Sequence, residues 1–346
     1  MTLEKNLFVT DIQDNQEVKG LFLVKMARLS ETKAGKPFLT LELMDRTGEI
    51  LGRVWDNAER LASVCPGGSV VMISGRAQSY KGVLQLSVNG VEGIIVEGAD
   101  WGLFIPATSA DIEVMAAELI ALIKKIEDKD IRRLLQAIVK DQPLWAAFRT
   151  APAAKTMHHA YIGGLLEHTL GLCRLACSVC VLYPALNKSL LLAGAILHDL
   201  GKIKEFSFDV PPFDYSEQGR LLGHMTIALD IIQQKLSGLR DFPERTATMI
   251  KHLVVSHHGS HEFGSPVLPM IREAFVLNFL DDLDAKMNYL DRLSSQTPVG
   301  EYQFTEYQRN MARFLFVTGH PAQSDERSES ETVQTEEGQR QPSLWG

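Results

Sequence analysis

Residues 190–206 read LLLAGAILHDLGKIKEF, an apolar run that ends abruptly on His198 and Asp199. A buried carboxylate without a partner costs several kcal/mol, so Asp199 requires a compensating charge. Neighbouring side chains on a helix point about 100° apart, and both reach one ion where the helix ends, which the following Gly201 favours. The stretch therefore predicts two adjacent metal ligands at the end of a buried helix, with Lys202 as a candidate contact for a substrate phosphate.

The histidines extend this prediction along the C-terminal half of the chain. Nine of the ten lie between residues 158 and 261. Several occupy largely apolar helical segments, where an ionisable side chain needs a partner. The segments are GGLLEHTL with His168, LLGHMTIAL with His224 and LVVSHHGS with His257 and His258, followed by Asp281, Asp282 and Asp284. A shared divalent ion would satisfy these groups, and imidazole with carboxylate suits Mn, Fe, Zn or Ni.

Composition places the chain among ordinary globular proteins. It has 346 residues, of which 45% are hydrophobic, and this is enough for two domains. No uninterrupted apolar run reaches the roughly 20 residues that span a bilayer, and the N-terminus lacks a signal-peptide pattern. Four cysteines do not make a disulfide framework. We therefore expect a cytoplasmic protein with no membrane partner.

The net charge of −8 argues against a nucleic-acid partner, but its distribution weakens that objection. Residues 321–346 hold six acidic and two basic side chains, which is half of the net charge. The composition of this segment predicts disorder. The rest of the chain is only mildly acidic, and bound divalent cations would add positive charge locally.

Residues 1–100 are predicted to form an OB-fold β-barrel. PFLTLELMD (37–45) alternates apolar and polar residues, as a half-buried strand does, and SVVMISGRA (69–77) and VLQLSVNG (83–90) read as further strands. Turns that contain Gly or Pro separate the strands, with a short helical piece at 56–64. About five strands in about 80 residues suit a small Greek-key barrel, with a sandwich as the alternative.

After the barrel, the apolar residues recur at helical spacing. Residues 101–150 are predicted to form a helical connector, residues 151–318 an all-α domain and residues 319–346 a disordered acidic tail. The predicted fold class is therefore a multidomain α and β protein, with an N-terminal OB-fold barrel and a C-terminal all-α domain.

An OB barrel binds single strands through a basic groove and stacking aromatics. The residues that could serve on this barrel are Lys25, Arg28, Phe38, Arg53, Trp55, Arg76, Tyr80 and Lys81. Arg53 and Trp55 are two positions apart, so on a strand they face the same side. The alternative is that Phe38 and Trp55 fill the barrel core and that the basic residues are ordinary solvated surface.

The order of His168, the motif HDLGK (198–202), later histidines and NFLDDLDAK (278–286) resembles the HD superfamily of metal-dependent phosphohydrolases. The resemblance implies one set of metal ligands formed by His168, His198, Asp199 and Asp281. It implies that His224, His257 and His258 complete a second set, with Asp199 bridging. Asp199 and Lys202 would then act in catalysis.

A closer resemblance covers roughly residues 15–310. HHAYIGGLLEHTL, LLGHMTIA and SHHGSHEFGSP, behind an OB-like domain, resemble the YhaM-type 3′-5′ exoribonucleases. This resemblance implies a manganese-favouring enzyme with one or two ions. Such an enzyme releases nucleoside 5′-monophosphates from the 3′ end of single-stranded RNA, and in some cases of single-stranded DNA.

Two alternatives stay open at this point. One is an HD phosphohydrolase of a small nucleotide or cyclic dinucleotide, and the other is a non-catalytic single-strand-binding protein with a structural HD domain. The sequence also leaves open RNA against DNA, the metal (Fe, Co, Ni or Mg in place of Mn) and whether the chain forms a homo-oligomer.

Overall fold

The computed structural model describes residues 5–32, 34–80, 82–95, 98–155, 158–207, 213–295 and 297–319. These residues form two compact units, divided between Asn288 and Tyr289. Two predictions lie outside the described residues: the acidic tail, apart from residue 319, and the nucleic-acid contact Lys81.

The first unit begins with a closed five-stranded barrel, which confirms the OB prediction. Its strands are β1 (Glu17–Glu31), β2 (Pro37–Asp45), β3 (Gly48–Val54), β4 (Val70–Tyr80) and β5 (Val83–Ile94). They follow one another around the barrel in the order β1–β2–β3–β5–β4. β3 and β5 pair in parallel, and the other neighbours pair antiparallel. The short helix α1 (Ala58–Ala62) connects β3 to β4.

The alternation in β2 separates the barrel interior from its outer face. Leu39, Leu41 and Leu43 are fully buried, whereas the residues between them are half-buried. Because successive side chains of a strand point to opposite faces, Phe38 lies on the outer side of the barrel. The same pattern that fills the core therefore places an aromatic ring where a ligand can reach it.

The rest of the described chain is mainly helical. Its helices are α2 (Ile112–Lys124), α3 (Lys129–Val139), α4 (Gln142–Thr150), α5 (Gly164–Leu182), α6 (Lys188–Leu197), α7 (Lys202–Glu205), α8 (Glu217–Ser237), α9 (Glu244–Ser256) and α10 (Arg272–Ser295). Two short antiparallel pairs accompany them, β6 (Phe206–Ser207) with β7 (Asp214–Tyr215) and, in the second unit, β8 (Tyr302–Phe304) with β9 (Phe316–Thr318). Helices α2, α3 and α4 contribute to the same hydrophobic core as α5, α6, α8 and α9.

Helix α6 is a buried helix that ends at the His–Asp pair, as the sequence predicts. Asn187 caps its N-terminus, all residues from 190 to 197 are buried, and His198 is its C-cap. Gly201 does not end the helix through a left-handed conformation, because its φ is −67°. A side chain is excluded there for another reason: a Cβ atom would lie 1.9 Å from the backbone oxygen of His224 on α8.

Among the described helices, α5 is long and apolar enough to cross a membrane by length and composition alone. Length and composition alone are weak evidence for a membrane span, because the core helix of a soluble protein meets the same criterion. Leu165, Leu166 and Leu170 of this helix are buried in the helical core.

Candidate metal centre

The helical part of the first unit brings the seven predicted metal ligands into one cluster. The ligands are His168 on α5, His198 and Asp199 after α6, His224 on α8, His257 and His258 at the end of α9, and Asp281 on α10. His168, His198 and His257 have no exposed surface, and Asp199 is only 2% exposed. Helix packing, rather than a single loop, therefore sets the positions of these side chains.

One part of the cluster, here called half-site A, consists of His168, His198, Asp281 and one oxygen of Asp199. His168 Nε2 lies 3.2 Å from both His198 Nε2 and Asp281 Oδ1. His198 Nε2 lies 3.2 Å from Asp199 Oδ2. Two ligand atoms bound at about 2.0–2.2 Å to the same ion lie about 3–3.5 Å from each other. The four atoms therefore have the spacing of ligands to one metal ion.

The other part, half-site B, uses the second oxygen of Asp199 together with His224, His257 and His258. Asp199 Oδ1 lies 3.6 Å from His224 Nε2 and 3.7 Å from His257 Nε2. These three buried atoms have no hydrogen-bond partner among the described residues. Buried polar atoms are normally paired, and three unpaired atoms that converge are what a cation would satisfy. His258 joins His224 and His257 in a group of three histidines whose ligand atoms lie within 4.8 Å of one another.

All five histidines turn the same ring atom away from the cluster. Each Nδ1 meets a protein acceptor, which fixes the Nδ1–H tautomer and leaves the Nε2 lone pair for a ligand role. The acceptors, at 2.6–3.1 Å, are Asp284 for His168, Ala195 O for His198, Glu205 for His224, Val254 O for His257 and Phe263 O for His258. The Nε2 lone pairs of His168 and His198 then face each other, and a shared proton or a cation stabilises such an arrangement.

Closely packed opposite charges dominate the electrostatics of the cluster. Burial alone would lower the pKa of His168, but hydrogen bonds to Asp281 and Asp284 raise it to about 9. Burial alone would raise the pKa of Asp199, but the Lys202 ammonium beside it helps to hold that pKa well below its usual range. Lys202 Nζ lies 2.6 Å from Asp199 Oδ2. The predicted phosphate contact is therefore a direct neighbour of the carboxylate that the two half-sites share.

The affinity for a divalent ion is expected to rise with pH between about 7 and 9. An ion at half-site A takes the Nε2 lone pair of His168, so it displaces the proton that the raised pKa of about 9 retains there. Below that pKa, each increase of one pH unit therefore raises the apparent affinity by up to about tenfold for this single proton. Calorimetric titration of metal-free protein with Mn²⁺ across this range measures the slope. An affinity independent of pH would contradict the placement of His168 in the centre.

Two carboxylates behind the cluster, Asp284 and Glu205, were not predicted as site residues. Asp284 lies three positions after Asp281 on one helix, so the two share a face, and this spacing could have revealed it. Glu205 gave no sequence signal, because its distance to His224 depends on how α7 packs against α8. A buried histidine, His159, also contacts the Asp284 carboxylate at 3.0 Å.

A groove on the outer face of the barrel gathers three of the predicted nucleic-acid contacts. It has a volume of about 240 Å³ and is lined by Arg28, Phe38 and Arg53, with Met26, Ser30, Thr40 and Glu42. Trp55 stacks on Phe38 with the ring centres 5.2 Å apart, and the Arg53 guanidinium lies 5.6 Å from the centre of the Phe38 ring. Trp55 is 53% exposed, so the alternative that it fills the barrel core is wrong. Aromatic and basic groups therefore lie together, as single-strand binding requires.

The remaining described candidates on the barrel do not line this groove. Lys25 forms an ion pair with Glu49 at 2.7 Å. Arg76 donates from Nε to the backbone oxygen of Asn15 at 3.3 Å. Tyr80 is 60% exposed at the end of β4.

A closed OB barrel with an aromatic and basic groove, followed by a helical domain built around a His–Asp cluster, defines a metal-dependent phosphohydrolase with a nucleic-acid-binding domain. Family models agree, because residues 24–94 match the OB-fold nucleic acid binding domain and residues 165–286 match the HD domain. The 3′-5′ exoribonuclease YhaM of Halalkalibacterium halodurans is 36% identical over 296 residues, which are 84% of this chain and 90% of the relative. The chain belongs to the YhaM family of 3′-5′ exoribonucleases.

Other relatives with the same name are similar to the chain over a comparable length. The protein of Geobacillus sp. is 36% identical and covers 83% of this chain and 88% of its own length. The protein of Bacillus subtilis is 34% identical and covers 83% of this chain and 90% of its own length. The HD domain and the His–Asp cluster together indicate that the chain binds a divalent metal.

Proposed function

We propose that this enzyme is a 3′-5′ exoribonuclease that hydrolyses single-stranded RNA with two divalent ions. The observation that carries the proposal is the division of Asp199 between two sets of ligands. Its Oδ2 faces His198 at 3.2 Å, whereas its Oδ1 faces His224 at 3.6 Å. A carboxylate with this arrangement is suited to hold two ions at once. The relatives are named as 3′-5′ exoribonucleases, which supports the direction of attack and the substrate.

The seven clustered side chains are the proposed metal ligands. His168, His198 and Asp281 would hold one ion, His224, His257 and His258 the other, and Asp199 would contribute to both. Ions held by these side chains would supply an activated water molecule and would stabilise negative charge on the phosphoryl oxygens. Mn²⁺ is the proposed metal, as the resemblance to the YhaM-type enzymes implies, and Fe, Co, Ni or Mg are the alternatives that the donor set leaves open.

The chain's own groups orient the RNA. Lys202, only 8% exposed, would supply a compact positive charge to the scissile phosphate beside Asp199. On the barrel, Phe38 and Trp55 would stack bases, while Arg53 and other basic groups contact the backbone. Stacking tolerates every base, so we expect little sequence preference, and single-stranded DNA of the same length is a second candidate substrate.

Incubation of a 5′-labelled RNA oligonucleotide with the protein and Mn²⁺ is expected to give a ladder that shortens from the 3′ end. The unlabelled products are expected to be nucleoside 5′-monophosphates. An RNA of the same sequence with a blocked 3′ end is the matched control and should be cut far more slowly. Immediate release of the labelled nucleotide would contradict the proposal, as would hydrolysis of a cyclic dinucleotide while the RNA stays intact.

A further inference from the structure

Each half-site contains one histidine that is backed by a negative charge. Asp284 Oδ2 accepts a hydrogen bond from His168 Nδ1 at 2.7 Å, and Glu205 Oε1 accepts one from His224 Nδ1 at 3.1 Å. At the other three histidines of the cluster, the same ring atom meets a neutral backbone carbonyl. The two carboxylates are therefore distributed one to each half-site, although they come from different helices.

We infer that Asp284 and Glu205 are positioning residues, one for each ion, which strengthen metal binding through His168 and His224 respectively. A carboxylate behind an imidazole fixes the Nδ1–H tautomer, orients Nε2 and makes the ring a stronger donor. This inference rests on the proposed function, because it presupposes two ions in the cluster.

A hydrogen-bonded chain holds Asp284 in place. His159 Nε2 donates to the same Oδ2 at 3.0 Å, and the Tyr161 hydroxyl donates to His159 Nδ1 at 2.8 Å. Asn288 accepts from the backbone N–H of His159 at 2.9 Å and donates to the Tyr161 oxygen at 3.3 Å. His159 has a φ of 46°, a strained value for a residue with a side chain, which surrounding contacts must maintain. The network therefore fixes both the place and the orientation of the carboxylate.

Close packing of α5 against α10 adds to this constraint. A Cβ atom at Gly171 would lie 2.8 Å from Asp284 Oδ1. The Asp284 side chain is only 18% exposed. The absence of a side chain at position 171 therefore gives the carboxylate the space to stand directly behind His168.

Glu205 is attached to His224 by two hydrogen bonds rather than one. Its Oε1 accepts from the ring and also from the backbone N–H of His224 at 3.0 Å. This N–H is available because α8 is interrupted at Gly223, which has φ 70° and ψ 158°. The Glu205 side chain is 9% exposed. The break in the helix thus serves to join His224 to its carboxylate.

Calorimetric titration of metal-free, full-length protein with Mn²⁺ tests the inference. Asp284→Asn and Glu205→Gln keep the size and one acceptor oxygen of each side chain but remove the charge. The matched controls are Asp282→Asn, an exposed neighbour paired with Lys286, and Glu217→Gln, exposed at the start of α8. Asp284→Asn is expected to weaken Mn²⁺ binding at half-site A by about 10- to 100-fold, and Glu205→Gln is expected to do the same at half-site B. Each variant should leave the affinity of the other half-site unchanged. The controls are expected to bind both ions like the wild type.

A His224→Ala background distinguishes positioning from a general loss of structure. Because Glu205 acts through His224, Glu205→Gln is expected to have no further effect on Mn²⁺ affinity in the His224→Ala protein. Asp284→Asn should still weaken the binding of the ion that remains at half-site A. The inference is overturned if the test variants bind both ions with the affinities of their controls. It is also overturned if Glu205→Gln weakens binding of the remaining ion in the His224→Ala protein. Thermal unfolding confirms that each variant is folded, and Glu205→Gln carries the test should Asp284→Asn not fold. A wild-type protein that binds no Mn²⁺ would instead overturn the proposed function.

Discussion

Replacing Asp199 with asparagine is expected to abolish hydrolysis of single-stranded RNA while RNA binding persists. Asp199 faces His198 with one oxygen and both His224 and His257 with the other. The substitution removes the negative charge that both proposed ions share and puts an amide nitrogen in place of one oxygen. Because metal ions contribute several kcal/mol to transition-state stabilisation, we expect kcat to fall by at least about 10³-fold. Initial rates on a labelled oligonucleotide measure this loss.

Binding of the same RNA, measured by fluorescence anisotropy in the presence of a chelator, should match the wild type. The groove on the barrel, which we propose to hold the strand, does not include Asp199. Asp282→Asn is the matched control, because Asp282 is an exposed aspartate paired with Lys286. Hydrolysis by Asp199→Asn at the rate of this control would exclude Asp199 from the catalytic centre.

Replacing Phe38 and Trp55 together with alanine is expected to raise the KM for RNA by about 10- to 100-fold with little change in kcat. The two rings stack with centres 5.2 Å apart on the outer face of the barrel. Stacking of a base on an aromatic side chain is worth about 1–3 kcal/mol, and this surface lies on a different domain from the His–Asp cluster. Steady-state rates on a short RNA and on a small chromogenic phosphodiester separate binding from chemistry.

The small phosphodiester does not span both domains, so its hydrolysis should be unchanged in the double variant. Tyr183→Ala serves as the matched control, because Tyr183 is 63% exposed and does not line the groove. An unchanged KM for RNA would show that the strand reaches the metal centre without using this face of the barrel. Equal losses on both substrates would point to a folding defect, which thermal unfolding detects.

The sequence predicted the fold where local patterns carry the information. The alternation in PFLTLELMD (37–45) predicted a strand, and β2 covers Pro37–Asp45. The apolar run from 190 predicted a buried helix that ends on His198 and Asp199, and α6 (Lys188–Leu197) has His198 as its C-cap. The spacing of apolar residues is a local property of the sequence, so it predicts helices and strands without knowledge of the tertiary structure.

The candidate site was predictable where ionisable residues stand out from apolar neighbours. His168 and His224 are conspicuous in their helices, and the structure gathers them with the other predicted ligands. Glu205 and Asp284 are acids on helices with polar faces, where acids are ordinary, so only the packing of one helix on another reveals their contacts. The exposure of Trp55 was equally undetermined, because it depends on where β3 ends relative to the barrel wall.

Gly201 brings the backbone of α7 close to that of α8 and so helps to place His224 in the metal centre. A single methyl group there would meet the His224 carbonyl at 1.9 Å and push the start of α7 away from α8. His224 would move with α8, although the substitution would remove none of the proposed metal ligands. In a genetic screen, a Gly201→Ala allele would therefore have the same phenotype as the loss of a metal-ligand histidine. Gly201 has no reactive group, yet it would tolerate substitution as poorly as the ligands in HDLGK.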